Sequence, residues 1–393
     1  MIRPLGDAAI APRPDPLDDE QRSLRRSVVE FAQRELNDNL DQRDHDASFS
    51  RESWLKCARI DLLGLPVPPQ YGGVGAGAKT IAAALEGLGY GCADNGLIFS
   101  LNAQMWACEL PIVHFGREEQ KHRYLPALCD GSLIAAHGMT EPGSGSDAFA
   151  LTTTATRADG GWILNGSKAF VTNAPESELF VVFATTDRKL GFAGLSAFLV
   201  GRDAHGLTVG RPYSKMGLRT SHLSELFFSD CTLPADAMLG GEGAGMAIFN
   251  TSMRWERSLI LAAAVGTMHR QLERCVRYAR ERVQFGQPIG AFQAVSHKIA
   301  EMKLRLETAH LMLYRIASLL EDGAATDLDA SLTKLHLSEC FVQSSLDALQ
   351  IHGGYGYVTE TGLERDVRDA LGARLYSGTS EMQRNVVARH LGL

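Results

Sequence analysis

The 393-residue sequence has no Cys-x-x-Cys pair, no basic patch and no apolar run long enough to cross a bilayer. Its seven cysteines are scattered, which argues against a disulfide framework or a zinc site and predicts reduced thiols in the cytoplasm. The net charge is −7, with acidic and basic residues mixed, so nothing indicates nucleic-acid binding. The longest apolar run, around Leu259 to Val265, is too short for a membrane helix, and no signal-peptide pattern opens the chain. We therefore expect a soluble cytoplasmic protein without a metal site.

The residue pattern divides the chain into sections. Residues 1–16 are rich in proline and small side chains and are predicted to be disordered. Apolar residues recur at helical spacing over residues 17–132 and again over 246–393. Residues 133–245 contain short β-type runs separated by Gly, Asn and Asp, typical of a barrel or a sandwich. The fold class predicted is therefore α+β, with a helical, a β and a second helical domain in series.

A glycine-rich stretch, Gly138 to Ala150, stands where the first helical section passes into the β-section. Its glycines allow a ligand to approach the backbone closely, and successive amides in such a turn can bind an anion. Thr140, Ser144 and Ser146 add hydroxyl donors. The stretch has neither the Lys of a phosphate-binding P-loop nor the strand–turn–helix setting of a Rossmann motif. Taken by itself, it could equally be a connecting loop.

A second stretch, Gln350 to Asp369, has a Gly-Gly-x-Gly core flanked by Glu360 and Arg365. Together with the first stretch it resembles the two signature patterns of the acyl-CoA dehydrogenases. The segment Arg282 to Val295 is similar to the flavin-contacting segment of that family, and the similarity extends over nearly the whole chain from about residue 17. The resemblance implies a helical domain, a β-barrel domain and a C-terminal four-helix bundle.

The same resemblance implies FAD, held across a subunit interface in a homo-oligomer, and it suggests the family's tetramer built as a dimer of dimers. It also implies which positions contact the cofactor. Phe170 stands where many relatives have Trp, so the stacking contact differs here. The matching positions are Met139, Thr140, Gly145 and Ser146 for the flavin and pyrophosphate, Phe170 and Thr172 for the ring, Thr379 and Glu381 for the ADP end, and Arg282, Phe285, Gln293, Gln350 and Gly354 from a neighbouring subunit for the adenosine diphosphate.

The C-terminal motif, "RLYSGTSEMQRNVVARHLGL", departs from the common family pattern. In most relatives a catalytic Glu lies between the Tyr and the Gly, and here Ser377 takes its place. The family reaction needs a carboxylate to remove a proton α to a thioester carbonyl, a flavin to take the β-hydride, and hydrogen bonds to the carbonyl. The resemblance implies that the backbone N–H of residue 377 is one of those donors, and a backbone donor survives the change to Ser.

The base is expected on another element. In the isovaleryl-CoA and long-chain branches the Glu comes from a helix whose motif resembles the segment Ser252 to Gly266, where Glu256 and Arg257 fill the matching positions. We therefore predict that Glu256 is the catalytic base, with its pKa raised by burial, and that Arg257 supports the flavin–substrate geometry. The alternative is that Glu256 is a solvated helix charge.

Finer resemblance favours flavin dehydrogenases that oxidise a prolyl or related acyl group on a peptidyl carrier protein. The stretches "SLNAQMWACELPIVHFG", "SMRWERS" and "MKLRLETAHLMLYR" carry it. Such a partner is acidic, so basic side chains near the channel would help docking. Arg211, Lys215 and Arg219 are candidates for that role, or else ordinary surface charges.

Other functions stay open at this stage. The chain could be a short or branched-chain acyl-CoA dehydrogenase of the isovaleryl-CoA type, passing electrons to an electron-transfer flavoprotein, or oxygen could accept the electrons. A flavin-dependent oxygenase on the same fold would need no carboxylate, and Glu256 argues against it. A non-catalytic assembly protein would not need the filled FAD positions.

Overall fold

A computed structural model describes residues 16–393. The predicted disorder of residues 1–16 therefore lies outside the described residues, apart from Pro16. The described chain is helical, then contains a sheet, then is helical again, which confirms the predicted order. The domain boundaries expected near residues 132 and 245 stay a prediction. No helix within residues 16–393 combines the length and apolar character that a bilayer span requires.

The first helical section has polar side chains at its helix starts. Asp18 accepts a hydrogen bond of 2.8 Å from the amide of Gln21, and Asp94 accepts one of 3.0 Å from the amide of Leu97. A π-helical turn, Met105–Glu109, follows the fifth helix. The helices are α1 (Asp19–Glu35), α2 (Leu40–Asp46), α3 (Arg51–Ala58), α4 (Ala78–Gly91), α5 (Asn95–Gln104), α6 (Leu110–Phe115) and α7 (Glu118–Cys129).

The middle of the chain forms a mixed sheet. Its strands are β1 (Ala135–Gly138), β2 (Thr154–Ala158), β3 (Gly161–Thr172), β4 (Leu179–Thr185), β5 (Leu195–Gly201), β6 (Leu207–Val209), β7 (Leu223–Pro234) and β8 (Met238–Leu239). They are hydrogen-bonded in the order β6-β7-β3-β2-β4-β5-β8, and β1 pairs in parallel with β4. No pairing among the described strands joins β6 to β8, so the closed barrel that we expected is not confirmed.

The second helical section contains the longest helices. Helices α10 and α11 pack against each other and against both α8 and α9, in the region predicted to be a four-helix bundle, and α4 also packs on α9. The elements are α8 (Gly245–Leu259), α9 (Ala262–Glu281), β9 (Val283–Gln284), β10 (Gln287–Pro288), α10 (Gln293–Glu321), α11 (Asp327–His352), α12 (Gly354–Tyr357), α13 (Leu363–Gly372) and α14 (Ser380–His390).

The hydrophobic cores show how these sections are joined. Trp54 of the first helical section and Val265 of the second belong to one continuous core. At one end of α8, Ile248 packs in a separate core with residues of the sheet such as Phe183. At the other end of α8, Leu259 packs in the core of the helices. Helix α8 therefore crosses the junction between the sheet and the helices.

Candidate active site

Glu256 lies near the C-terminal end of α8 and is almost fully buried, with 8% of its surface exposed. Its neighbours on the helix are anchored to the π-helical turn. The hydroxyl of Ser252 donates to the carbonyl of Trp106 at 2.8 Å, and the ring of Trp255 stacks on that of Trp106 with centroids 6.3 Å apart. The alternative interpretation, that Glu256 is a solvated helix charge, is therefore wrong.

Ser377 meets this carboxylate. Its hydroxyl donates a hydrogen bond of 2.5 Å to Oε1 of Glu256. Ser377 and Gly378 form a turn between α13 and α14, with φ values of 57° and 87°. A non-glycine residue in the left-handed region is uncommon, and such residues occur often at functional sites. The two positions that the sequence singled out for the proton step thus lie side by side.

Three side chains hold the carbonyl oxygens of this turn. Nε of Arg257 donates to the carbonyl of Ser377 at 3.2 Å, and Nζ of Lys334 donates to the carbonyl of Gly378 at 2.8 Å. The amide of Gln383 reaches both carbonyls, at 3.2 and 2.9 Å. The backbone N–H of Ser377 has no acceptor among residues 16–393. Sequence reasoning missed Lys334 and Gln383, although a Lys among apolar helix positions was a signal for the first.

Burial and the neighbouring groups shift the pKa of Glu256 in opposite directions. Burial raises the pKa of Glu256, while the Ser377 hydrogen bond and the nearby charges of Arg257 and Lys334 lower it. Lys334 is fully buried, and burial together with the charge of Arg257 lowers its pKa to about 8. A carboxyl group with a raised pKa is a stronger base once it is ionised. The site is therefore suited to removing a weakly acidic proton.

A buried ion pair supports the glycine-rich stretch. Nζ of Lys168 lies 2.8 Å from Oε1 of Glu141, and both side chains are almost completely buried. The amides of Thr152 and Thr153 also donate to Glu141, at 2.7 and 3.0 Å. A paired and fully hydrogen-bonded charge of this kind can be tolerated in the interior. Sequence reasoning missed this pair, which attaches the stretch to strand β3.

The flavin-binding positions predicted on this stretch differ in their exposure. Met139 is buried, Thr140 is partly buried, and Gly145 and Ser146 are exposed. No atom lies within 4 Å of where a Cβ on Gly145 would stand, so the backbone there is open to a ligand. The carbonyl of Thr140 accepts from the amide of Ala169 at 2.8 Å, which places the stretch beside the end of β3.

Phe170 and Thr172 follow directly at that strand end. Phe170 has a φ of 54° and 62% of its surface exposed, and its ring stacks on Tyr213 with centroids 5.5 Å apart. Thr172 is partly buried. The structure therefore brings the two predicted flavin-ring positions next to the glycine-rich stretch. An exposed aromatic ring in a strained backbone conformation fits a surface that a ligand covers.

The positions assigned to a neighbouring subunit form a separate group. Arg282 and Gly354 line one cavity of about 610 Å³. Phe285 lies at the tip of the β9–β10 turn and is 93% exposed. Gln293, at the start of α10, and Gln350, in the last turn of α11, are also exposed. These side chains are thus presented at the surface.

Thr379 and Glu381 lie beyond the Ser377 turn. The hydroxyl of Thr379 accepts a hydrogen bond of 3.3 Å from the amide of Met382 and caps the start of α14. Glu381 is exposed and lies 3.5 Å from Arg384. Thr379 therefore has a structural role at the helix start, which leaves the role of both residues at the ADP end a prediction.

These surfaces fit a flavin dinucleotide. The open glycine-rich backbone suits a pyrophosphate, because amides without a nearby side chain can donate to its oxygens. The cavity at Arg282 supplies a cation and a concave wall for an adenosine group. Glu256 provides a carboxylate, and Ser377 provides a backbone N–H without an acceptor among the described residues.

One of the three basic residues proposed for docking, Lys215, is placed differently from what we expected. Lys215 is largely buried, and its Nζ donates to the carbonyls of Leu218 and Ser221 within its own loop. Nε of Arg219 donates to the carbonyl of Lys215 at 3.3 Å. Arg211 is exposed. The docking interpretation of Lys215 is therefore wrong, because its ammonium group is occupied inside the loop.

Comparison with protein families matches most of the described chain. Three family models match: the acyl-CoA dehydrogenase N-terminal domain over residues 18–132, the middle domain over residues 136–231 and the C-terminal domain over residues 243–392. A protein of Pseudomonas fluorescens named L-prolyl-(peptidyl-carrier protein) dehydrogenase is 44% identical over 351 residues, which are 89% of this chain and 92% of that protein.

Two solved structures resemble the chain over nearly its whole length. The crystal structure of the prolyl acyl carrier protein oxidase AnaB superimposes with a TM-score of 0.95 at 51% identity, covering 96% of this chain and 100% of AnaB. A structure of PigA with FAD and proline superimposes with a TM-score of 0.94 at 41% identity, covering 97% of this chain and 99% of PigA.

Proposed function

The chain belongs to the acyl-CoA dehydrogenase family, and on this basis we propose that it is an FAD-dependent enzyme oxidising a carrier-bound thioester. The reaction is α,β-dehydrogenation of an acyl or aminoacyl group, such as a prolyl group, on a peptidyl or acyl carrier protein. The observation that carries this proposal is the buried carboxylate of Glu256, which is hydrogen-bonded to Ser377. Ser377 occupies the position where most of the family has its base.

Glu256 removes the proton from the α-carbon of the thioester. Its Oε1 accepts from Ser377, which leaves Oε2 to face the substrate. Burial raises the pKa of Glu256, so the ionised carboxylate is more basic than a solvated one. FAD, when bound, would supply the acceptor for the hydride of the β-carbon, so that loss of one C–H bond at each carbon leaves a C=C bond.

The Ser377 turn stabilises the charge that develops on the carbonyl oxygen. The N–H of Ser377 is free to donate, and the carbonyls of Ser377 and Gly378 that follow it are held by Arg257, Lys334 and Gln383. Donors that are already oriented stabilise an enolate without reorganising during the reaction. In this proposal Arg257 acts as a positioning residue.

The substrate assignment rests on the relatives whose names specify prolyl carrier proteins. Two alternatives make different predictions. A short or branched-chain acyl-CoA dehydrogenase would accept CoA thioesters without a carrier protein, and an oxygenase would not need Glu256. The electron acceptor is an electron-transfer flavoprotein or oxygen.

The assembly and compartment belong to the same proposal. The exposed group that includes Arg282, Phe285 and Gln350 would complete the cofactor site of a second copy, which requires a homo-oligomer, and we propose a tetramer. All seven cysteines are buried and unpaired, which supports a reducing, cytoplasmic setting.

Mass spectrometry of thioesters after incubation tests the function. The purified protein is mixed with prolyl and other aminoacyl groups on a holo carrier protein and, separately, with short and branched acyl-CoAs. We expect a carrier-bound group to lose two or four hydrogens. Oxidation of acyl-CoAs alone would favour the acyl-CoA dehydrogenase alternative, and incorporation of oxygen would favour the oxygenase.

A further inference from the structure

The connection between β4 and β5 presents an unusual surface. It contains a short turn, Arg188–Gly194, in which Leu190 and Phe192 are 58% and 57% exposed. Arg188 and Lys189 come directly before them and are exposed as well. Two large apolar side chains next to two cations are typical of a surface that a partner covers.

The turn is held in place by its own hydrogen bonds. The amide of Thr186 donates to the carbonyl of Gly194 at 2.8 Å, which closes the base of the turn. The carboxylate of Asp187 accepts from the amide of Lys189 at 2.9 Å. Gly191 adopts a φ of 56°, which glycine accommodates readily. Leu190 and Phe192 are therefore displayed by an ordered turn.

The cations of the turn are available for a partner. Nη2 of Arg188 donates to the carbonyl of Thr152 at 2.9 Å, which orients the guanidinium without neutralising it. Neither Arg188 nor Lys189 forms an ion pair with another residue between 16 and 393. The chain as a whole has a net charge of −7, whereas this turn carries two cations against the single carboxylate of Asp187 and is therefore net positive.

The turn lies at the beginning of the helix that carries the base. A Cβ on Gly243 would stand 2.7 Å from the carbonyl oxygen of Ala193, which shows how closely the turn approaches the start of α8 at Gly245. Glu256 follows about three helical turns further on, which corresponds to roughly 16 Å along the axis. The turn is thus separated from the reacting group by a distance that a phosphopantetheine arm can span.

The side of α8 between these points is lined with aromatic rings. Phe249 lies two turns before Glu256 and therefore on the same face of the helix. Its ring stacks on His137 of β1, at 6.2 Å, and contacts Phe149 edge-on, at 5.7 Å. Nε2 of His137 is buried and has no hydrogen-bond partner among the described residues.

We propose that the surface formed by Arg188, Lys189, Leu190 and Phe192 is the docking site for the acidic carrier protein. Leu190 and Phe192 pack against apolar residues around the attachment point of the arm, and the two cations pair with carboxylates of the carrier. The arm then runs along α8 past Phe249 to Glu256. This inference rests on the proposed function and identifies the surface that the partner recognises.

The test compares a prolyl thioester of the carrier protein with a prolyl thioester of a small thiol. The parent enzyme and the Leu190→Ser/Phe192→Ser variant are given prolyl-carrier protein and prolyl-N-acetylcysteamine, a small thioester without a protein surface. We expect KM for the carrier substrate to rise about tenfold or more, with kcat unchanged and with no change for the small thioester. Phe227→Ser, at an exposed position on β7, is the matched control and should leave both substrates unaffected.

A second variant tests the charges. Lys189→Glu should weaken binding of the carrier and reduce its dependence on salt, whereas Arg59→Glu, an exposed charge on another part of the surface, should not. Binding of unacylated holo carrier, measured by calorimetry, provides a readout that needs no turnover.

The outcomes separate the two proposals. If the parent oxidises the carrier thioester and the loop variants bind the carrier as well as the parent does, the docking site is wrong and the proposed function stands. Equal losses on carrier and small thioester would also overturn the docking site, because the turn would then shape the active site itself. A parent that oxidises only acyl-CoAs and binds no carrier overturns both.

Discussion

The hydroxyl of Ser377 donates a hydrogen bond to the carboxylate of Glu256, although the two residues are 121 positions apart in the sequence. The turn that holds Ser377 and the helix that holds Glu256 thus face the same small volume. A carboxylate on either element could reach a substrate placed between them. This arrangement would allow a chain with Ser at the usual base position to keep a base in the site, as we propose for Glu256.

Replacing Glu256 with Gln tests the assignment of the base. The change keeps the size of the side chain but removes the basic oxygen. We expect FAD content and substrate binding to be retained and the rate of flavin reduction to fall by about 10²–10⁴-fold. The measurement is anaerobic bleaching of the flavin after addition of prolyl-carrier protein.

A matched control is Glu109→Gln, since Glu109 is also fully buried but lies in the π-helical turn and hydrogen-bonds to Gln104. Its bleaching rate should equal that of the parent. Bleaching of Glu256→Gln at the parent rate would show that the base is not on α8, and the oxygenase interpretation would then lead.

Replacing Ser377 with Ala separates the hydroxyl from the backbone N–H. The N–H remains, so the maximal rate of flavin reduction should change little. The hydrogen bond from Ser377 lowers the pKa of Glu256, so its removal should raise that pKa. The acidic limb of the kcat/KM–pH profile should therefore move to higher pH. A large loss of rate that persists at high pH would mean that the hydroxyl has a direct part in the chemistry.

Mixing two inactive variants tests the shared cofactor site. If Arg282 serves the cofactor of a neighbouring subunit, an Arg282→Glu chain still has a working Glu256, and a Glu256→Gln chain still has a working Arg282. Co-expression of the two should restore part of the activity, because mixed dimers contain one complete site. Each variant expressed alone is the control. No recovery in verified mixed oligomers would show that each chain builds its site alone.

The buried carboxyl group of Glu109 should make the stability of the protein depend on pH. Burial raises its pKa from 4.5 to about 8, so between these values the folded protein holds a proton that the unfolded chain has released. The free energy of unfolding should therefore fall as the pH rises from about 5 to about 8, by a few kcal/mol from this group. Glu109→Gln should flatten the fall and raise Tm at pH 8.

Thermal unfolding at several pH values measures this effect. Glu20→Gln, which changes an exposed carboxylate on α1, should keep the slope of the parent. If Glu109→Gln unfolds with the parent slope, Glu109 is not protonated in the folded protein.

The sequence alone determined the family, the order of helical, β and helical sections, and the identity of the base candidate. These follow from local information: the spacing of apolar residues, the two glycine-rich stretches and the Glu–Arg pair at positions 256 and 257. Each is set by neighbouring residues, so a linear pattern is sufficient to recognise it. The confirmed family membership rests on the same patterns.

Only the tertiary structure decided which side chains surround that base. Burial of Glu256 and its contact with Ser377 depend on α8 meeting the turn before α14, and the positions of Lys334 and Gln383 depend on α11 and α14. The same holds for Lys215, whose ammonium group is used inside its own loop. Hydrogen bonds act over about 3 Å, whereas these partners are far apart in sequence, so packing of the whole chain determines them.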